Sequence, residues 1–342
     1  MKSILYLGWI GFNNLGDELL WRVFEHKMKQ YGEDKGLQAI PSLPGTPYKE
    51  VGNYDAVVMG GGSLLIPGYI DLLYKALQAG KPVMVWGSGF DTMEKAGAGS
   101  FPTYSAAMAE QLTSIAQEAV YFGVRGPWTH KVLETSGIPM DHIRISGDPG
   151  LLLRHERSNR PAEKTIGINW GTTYNKLYGG NERHLEDELV QSAKKWIRDG
   201  YRIYIYSMWG PDREHSSRLA AKIGHSDRVT LENRLLNEQE VMETISGFEF
   251  TVNFKLHANI ISHAAGVPFI CLGYRFKCFD YAQSVGLTNY IVSTDAPDLH
   301  LELEKVSLRI GANRKAIIDK MAHYQRIYRE KLEQPFRDSV WS

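Results

Sequence analysis

Short apolar, β-branched runs recur along the chain, and each is followed by a longer stretch whose apolar positions fall at helical spacing. In the first half the runs are Ser3–Leu7, Ala56–Met59, Val83–Trp86, Val120–Val124 and Ile143–Ser146. In the second half they are Thr165–Asn169, Arg202–Tyr206, Arg228–Leu231, Glu249–Val252 and Pro268–Leu272. The intervening helical patterns include Asp17–Tyr31, Ala106–Gln117, Pro127–Ser136, Leu185–Arg198, Arg213–Ile223, Asn237–Ser246, Ala258–Ala265 and a long polar one from about Asn313 to Glu333. Pro127 suits a first helical turn, and Gly137-Ile138-Pro139 a helix stop. This alternation predicts parallel strands joined by right-handed crossovers, an α/β fold.

The polar, proline-containing segment from Arg154 to Lys164 separates the two series and reads as a linker. The expected organisation is two Rossmann-like, doubly wound domains facing a cleft, residues 1–154 and 164–312. A C-terminal helix, 313–342, has two uses open to it: packing across the N-terminal domain or pairing two copies of the chain. Ligands of such sheets gather beyond the carboxyl ends of the strands, and a cleft between two domains is the default site.

Composition narrows the partners. With 342 residues, 43% hydrophobic and 23% charged, the chain can bury one large core or two ordinary ones. Lys and Arg together number 39, as do Asp and Glu, so no global charge draws it to nucleic acid or to an anionic membrane. Any cationic site must be local. The apolar runs fall far below the roughly 20 residues that span a bilayer, and Met1–Gly8 reads as a first strand rather than a signal peptide. A cytoplasmic location is expected, and no basic amphipathic helix stands out to decide for or against peripheral membrane contact. Cys271 and Cys278 match no zinc spacing and read as reduced, partly buried thiols. The histidines are scattered without a His-x-x-x-His pattern, so no metal is expected.

The residues just after the strands carry the candidate chemistry. After the first strand comes Gly8-Trp9-Ile10-Gly11-Phe12-Asn13-Asn14-Leu15-Gly16-Asp17-Glu18, whose backbone N–H groups suit an anion or hydroxyls. Its glycines are spaced as in a P-loop, but Asp17 stands where the phosphate-binding lysine belongs, which rejects that reading. Asn14 and Asp17 suit helix capping equally well. The second predicted strand ends in Gly60-Gly61-Gly62-Ser63, which fits close approach to a ligand or a tight turn. The fourth ends at Arg125, placed for phosphate or carboxylate or for an ion pair with an acid such as Asp148. In the second half, Lys255 and His257 alternate onto one side of a strand-to-helix junction, and Arg275 and Lys277 follow the next strand. A neutral chain that aims Arg125, Lys255, His257 and Lys277 at one cleft is built for a small polyanion.

Taken in order, Gly11–Glu18, Met59–Ser63, Val124-Arg125-Gly126, Gly147-Asp148-Pro149, Lys255-Leu256-His257-Ala258 and Ala265-Gly266-Val267-Pro268 resemble the polysaccharide pyruvyltransferase family, over about residues 4–290. The resemblance implies a GT-B-like pair of domains. It also implies transfer of a pyruvate ketal from phosphoenolpyruvate to two hydroxyls of a sugar in a polysaccharide or its lipid-linked precursor, with release of phosphate. The family's basic donor-site residues map onto Arg125, His257 and Lys277, with Lys255, Gly61 and Gly62 alongside. Many members carry Arg where Lys255 stands, so this chain keeps the charge and loses the planar fork. On this reading His257 is the acid and base, Asp17 orients or deprotonates the acceptor, and fixed cations take the place of a metal. The long polar, aromatic loop Trp170–Asn181 becomes an acceptor loop or lid, with Asn14, Tyr174 and Tyr178 as acceptor contacts. Trp9, Phe12 and Trp209 add ring faces that suit sugar CH groups or core packing.

Two other readings compete. A GT-B glycosyltransferase using a nucleotide sugar would explain Ala264–Pro268, although the two glutamates of retaining enzymes are replaced here by Asn253 and Ile261. A non-catalytic protein that binds a phosphorylated metabolite would use the same cations.

Overall fold

A computed structural model describes residues 1–97, 100–154, 164–224 and 227–341. Residues 155–163, most of the expected linker, lie outside the described residues. The chain divides into two compact units, one formed by Met1–Phe12, Asp17–Leu152 and Arg326–Ser342, the other by Asn13–Gly16 and Leu153–Gln325.

The first unit holds a parallel sheet of β1 (Lys2–Leu7), β2 (Leu37–Pro41), β3 (Ala56–Met59), β4 (Val83–Ser88), β5 (Tyr121–Val124) and β6 (Ile143–Ile145), in the order β2-β1-β3-β4-β5-β6. Its helices are α1 (Leu15–Gly32), α2 (Tyr69–Gln78), α3 (Ala106–Glu118) and α4 (Pro127–Thr135). Because side chains alternate across a strand, Leu5 and Leu7 join Val57, Met59, Val83 and Val85 in one core with Leu73 of α2 and Ile115 of α3. Tyr6 faces the other way, into an aromatic layer. There Tyr6 meets Phe24 at 4.8 Å, Phe24 meets Trp86 at 5.5 Å, and Trp86 meets Phe336 at 5.3 Å between ring centroids.

The second unit repeats the plan with β7 (Thr165–Asn169), β8 (Arg202–Tyr206), β9 (Val229–Glu232), β10 (Phe250–Asn253), β11 (Phe269–Gly273) and β12 (Ile291–Ser293), ordered β12-β11-β10-β7-β8-β9. Its helices are α5 (Glu182–Arg198), α6 (Asp212–Ile223), α7 (Glu238–Ser246), α8 (Leu256–Ala264) and α9 (Phe276–Ser284). Both cysteines are buried here as free thiols, and burial pushes the Cys271 thiol up.

The last helix, α10 (Leu299–Arg337), begins well before the expected Asn313, where the backbone instead departs from helical geometry at φ −122°. Its residues to Gln325 group with the second unit and those from Arg326 with the first. In the first unit, Trp86 donates to the Leu332 carbonyl at 2.9 Å and Lys27 pairs with Glu333 at 2.6 Å.

The strand order reverses once in each sheet. In the first, the chain leaves β1 for β2 and returns to β3 on the other side of β1. In the second, it runs β7, β8, β9 and then returns to β10 beside β7. Each reversal opens a crevice at the carboxyl ends of the two diverging strands, where ligands of this architecture bind. Those crevices are flanked by Gly8 and Gly60 in the first unit, and by Trp170 and Phe254 in the second.

Candidate functional site

In the first unit, Asp17 sits in the first turn of α1, nearly buried, with its Oδ1 3.2 Å from where a β-carbon on Gly62 would stand. A β-carbon on Gly61 would stand 2.8 Å from Leu20 and 2.9 Å from Pro149. Burial, and after it the charge of Asp17, push the Tyr69 hydroxyl up to about 12. Arg125, at the end of β5, is fully buried. Its Nη2 lies 3.4 Å from Ser63 Oγ and 3.3 Å from the Phe90 carbonyl. A β-carbon on Gly89 would stand 2.3 Å from Nη2, so only glycine leaves the guanidinium its place. Asp148, the alternative partner considered for Arg125, accepts from the Gly150 N–H at 2.9 Å.

In the second unit, the junction between β10 and α8 is held from β7. Asn169, the last residue of β7, accepts from the Lys255 N–H at 2.9 Å and donates to the Tyr206 carbonyl at 3.1 Å. This fixes Lys255 as the residue before α8. His257 therefore falls inside the first helical turn, a residue earlier than the predicted start at Ala258. The imidazole lies against Gly16, the last residue of the segment 13–16. A β-carbon on Gly16 would stand 2.1 Å from Nδ1. Those four residues are fixed in turn: Leu15 donates to the Met208 carbonyl at 2.9 Å, and Asn14 bridges to Trp209. Asn14 also accepts from the Gly16 N–H at 3.1 Å, in the manner of an N-cap for α1.

Lys255 is not a solvated surface charge. Its ammonium reaches the Thr172 carbonyl and lies 3.1 Å from Asp212 Oδ1, and it stands 5.1 Å over the Trp209 ring and 5.6 Å over Phe254. Asp212, fully buried, is pushed up by burial, while Lys255 and the N–H groups of Thr172 and Met208 pull the other way. Phe254 in turn meets Trp170 at 4.8 Å and Tyr274 at 4.9 Å. Lys277, in the first turn of α9, stands 5.3 Å over Tyr274. A column of rings thus carries Lys255 and Lys277 on neighbouring members at the crevice between β7 and β10.

The loop from Trp170 to Asn181, expected as an acceptor loop or lid, is tied at its far end to Glu182. Glu182 accepts from both hydroxyls of Thr172 and Thr173, at 2.8 and 2.9 Å, and from the Thr173 and Asn175 N–H groups at 2.5 and 3.0 Å. Burial pushes its carboxyl up, and these donors outweigh that and hold it below the usual range. Within the loop, Tyr174 is 64% exposed with φ +55°, its ring edge-on to Trp209 at 5.9 Å. Tyr178 is instead buried, 6.0 Å from Phe279, and donates its N–H to the Tyr274 carbonyl.

The second unit therefore brings together Asn14, Tyr174, Lys255, His257 and Lys277, and the first holds Asp17, Gly61, Gly62 and Arg125. Sequence reasoning missed Asn169, Asp212 and Glu182. Asn169 and Asp212 do obey the strand-end rule, since one closes β7 and the other opens the helix after β8.

The family described as polysaccharide pyruvyl transferase matches residues 14–275, well over half of the sequence. The chain belongs to the polysaccharide pyruvyl transferase family. Among individual proteins, this pyruvyl transferase family member is 25% identical over 251 residues to the amylovoran biosynthesis protein AmsJ of Erwinia amylovora. The match takes in 68% of this chain and 60% of that protein. Two solved structures share its fold. One is a putative UDP-N-acetylglucosamine 2-epimerase from Listeria monocytogenes, with a TM-score of 0.62 at 12% identity, over 97% of this chain and 93% of that one. The other is the calicheamicin glycosyltransferase CalG4, with a TM-score of 0.54 at 12% identity, over 99% and 97%. These likenesses place the family member among GT-B-like proteins. Among its described residues, no helix is long and apolar enough to cross a membrane.

Proposed function

We propose that the chain is a transferase that moves a pyruvyl group from phosphoenolpyruvate to two hydroxyls of a saccharide, forming a cyclic ketal and releasing phosphate. The observation that carries this reading is the setting of His257 at the strand-reversal crevice of the second sheet, with Lys255 beside it and Lys277 on the next ring of the same column. Family membership and the likeness to a polysaccharide biosynthesis protein support a saccharide acceptor.

The donor carries a phosphate and a carboxylate a few bonds apart, and catalysis must neutralise both while the C2–O bond to phosphate breaks. Within the second unit, Lys277 is the grip for these anions. Lys255, already engaged by Asp212, shapes the site and supplies field rather than a free ammonium. The chemistry needs a proton delivered to the enol methylene and removed from the acceptor. The first hydroxyl adds at C2, phosphate departs, and the second hydroxyl closes the ketal. One hydroxyl proton balances the new methyl group and the other leaves with phosphate. An imidazole, which changes charge near neutral pH, suits both transfers, and His257 takes that role. Asp17 orients or deprotonates the acceptor. The chain's own cations supply the charge stabilisation, so the reading calls for no metal.

The test is thermal stabilisation by phosphoenolpyruvate against UDP-sugars, on the native chain and on Lys277→Ala and His257→Ala, with phosphate release then measured on saccharide acceptors. A ligand at 100 times its Kd should add about 2.7 kcal/mol. Stabilisation by phosphoenolpyruvate that is lost in Lys277→Ala and kept in His257→Ala, with turnover lost in the latter, is the expected pattern. Stabilisation by a UDP-sugar alone overturns the reading in favour of glycosyl transfer.

A further inference from the structure

A pocket of about 670 Å³ lies within the first unit, beyond the carboxyl ends of β1 and β2 and beside the start of α2. Its volume falls in the range of about 300–1,000 Å³ in which proteins hold small ligands. Trp9 and Phe12 form one side. Their rings stack at 5.5 Å with an interplanar angle of 20°, yet they remain 37% and 47% exposed. Paired large rings left in water contribute little to a core, and at a pocket mouth they mark a binding surface. Tyr48, Tyr69, Lys49 and Lys75 bring hydroxyls and ammonium groups to the rest of the lining.

The platform is preorganised. Ser42 accepts from the Gly8 N–H at 3.0 Å and donates to the Gly8 carbonyl at 3.2 Å, and Tyr69 reaches the same carbonyl at 3.4 Å. The backbone leading into Trp9 is thus fixed before any ligand arrives, which lowers the entropy cost of binding. The charge at α2 selects against a phosphate. Asp71 accepts from the Gly68 N–H at 2.9 Å, so a carboxylate already occupies the helix N-terminus that a phosphate would use.

We infer that this pocket is a saccharide-binding site, in which a pyranose ring lays its CH face on the Trp9–Phe12 platform and turns its hydroxyl edge to the lysines and tyrosines. A sugar has one apolar face and a polar rim, and the lining offers the same two surfaces. The inference rests on the reading of the chain as a saccharide-modifying transferase and assigns the acceptor a place on it.

The test titrates the full chain with the methyl glycosides of glucose, galactose, mannose and N-acetylglucosamine, read by saturation-transfer NMR and calorimetry. Trp9→Ala and Phe12→Ala are compared with Met93→Ala, an exposed control outside the pocket. At least one glycoside should bind, each ring variant should weaken it roughly tenfold, and the control should not. Absence of binding to the native chain overturns the inference, as does binding that survives both ring substitutions or displacement of the glycoside by UDP. Stabilisation by phosphoenolpyruvate is recorded on the same samples and should persist in both ring variants. Its absence from the native chain would remove the pyruvyl reading while glycoside binding still established the pocket.

Discussion

Gly16 and His257 approach so closely that a β-carbon on Gly16 would stand 2.1 Å from Nδ1 and 2.4 Å from Cγ of the imidazole. These are atoms at the root of a short ring, so the side chain cannot yield by swinging a flexible tip. Gly16 lies in the first turn of α1, where alanine would otherwise favour the helix. Gly16→Ala should therefore cost about 1–3 kcal/mol of stability through overpacking, partly offset by alanine's helix preference, and push the imidazole from its place. Misplacement of a reacting group by about 1 Å costs on the order of 100-fold in rate. Phosphate release by Gly16→Ala should fall by roughly that factor, with donor affinity much less affected. Full turnover in this variant would remove His257 from the chemistry.

Lys255 and Asp212 make a second relationship with a measurable consequence. Burial of the Asp212 carboxyl is offset chiefly by the ammonium 3.1 Å away. Lys255→Met would leave that carboxylate buried without its cation, a loss of about 3–5 kcal/mol. Asp212→Asn added to it should restore much of the stability, because the uncompensated charge is gone. Denaturant melts of the two single variants and the double variant measure the coupling. Strictly additive losses would show that the pair is not the reason for the burial.

How much of the fold was legible in the sequence depends on how each element is stabilised. β1, β3, β7 and β8 are buried strands with apolar runs, and their predicted limits agree with the structure within a residue. β2 and β12 are edge strands, half-buried, and β2 ends in a proline, so neither shows a continuous apolar signal. Without β2 the later strands of the first sheet are misnumbered: Ala56–Met59 is the third strand, not the second. α9 escaped because its buried face, Phe276, Cys278 and Tyr281, is interleaved with Lys277 and Asp280 in a segment that reads as a charged loop. The places of the cations in the fold were legible because the apolar runs of β5, β10 and β11 end just before them. Their settings were not, since the pairing of Lys255 with Asp212 links residues on different strand ends and depends on β7 lying between β8 and β10.

The C-terminal helix offers a third test. Pro335 has no N–H to give to the Lys331 carbonyl one turn back, and the Tyr121 hydroxyl donates to that carbonyl instead, at 2.8 Å. Tyr121 is buried on β5, and burial pushes its hydroxyl up to about 12, so it stays protonated as the donor throughout the ordinary pH range. Tyr121→Phe should cost about 1–3 kcal/mol, the penalty for a buried carbonyl left without its donor. In a Pro335→Ala background, where the helix regains its own N–H, the same substitution should cost distinctly less. Equal costs in both backgrounds would show that the hydroxyl is not replacing the missing amide.

The last test is the pH dependence of stability at His263, fully inside the second unit. Nε2 lies 2.7 Å from the Met321 carbonyl, which can only accept, so the ring proton sits on Nε2 and Nδ1 accepts from the Tyr281 hydroxyl at 3.0 Å. Burial lowers the imidazole from its ordinary 6.5 to about 4, against a smaller opposing pull from the Met321 carbonyl. Above pH 6.5 both folded and unfolded chains hold the ring neutral, and its contribution is fully present. As the pH falls from about 6.5 to about 4, the unfolded chain takes up a proton that the folded ring refuses, so stability drains across that window and levels off below it. The whole loss amounts to about 3 kcal/mol. His263→Gln keeps a side-chain N–H for Met321 and removes the titration, so its denaturation midpoint should fall less steeply than that of the native chain between pH 6.5 and 4. Parallel curves for the two proteins would mean that the folded ring accepts the proton after all, and that the Tyr281 hydroxyl turns to receive it.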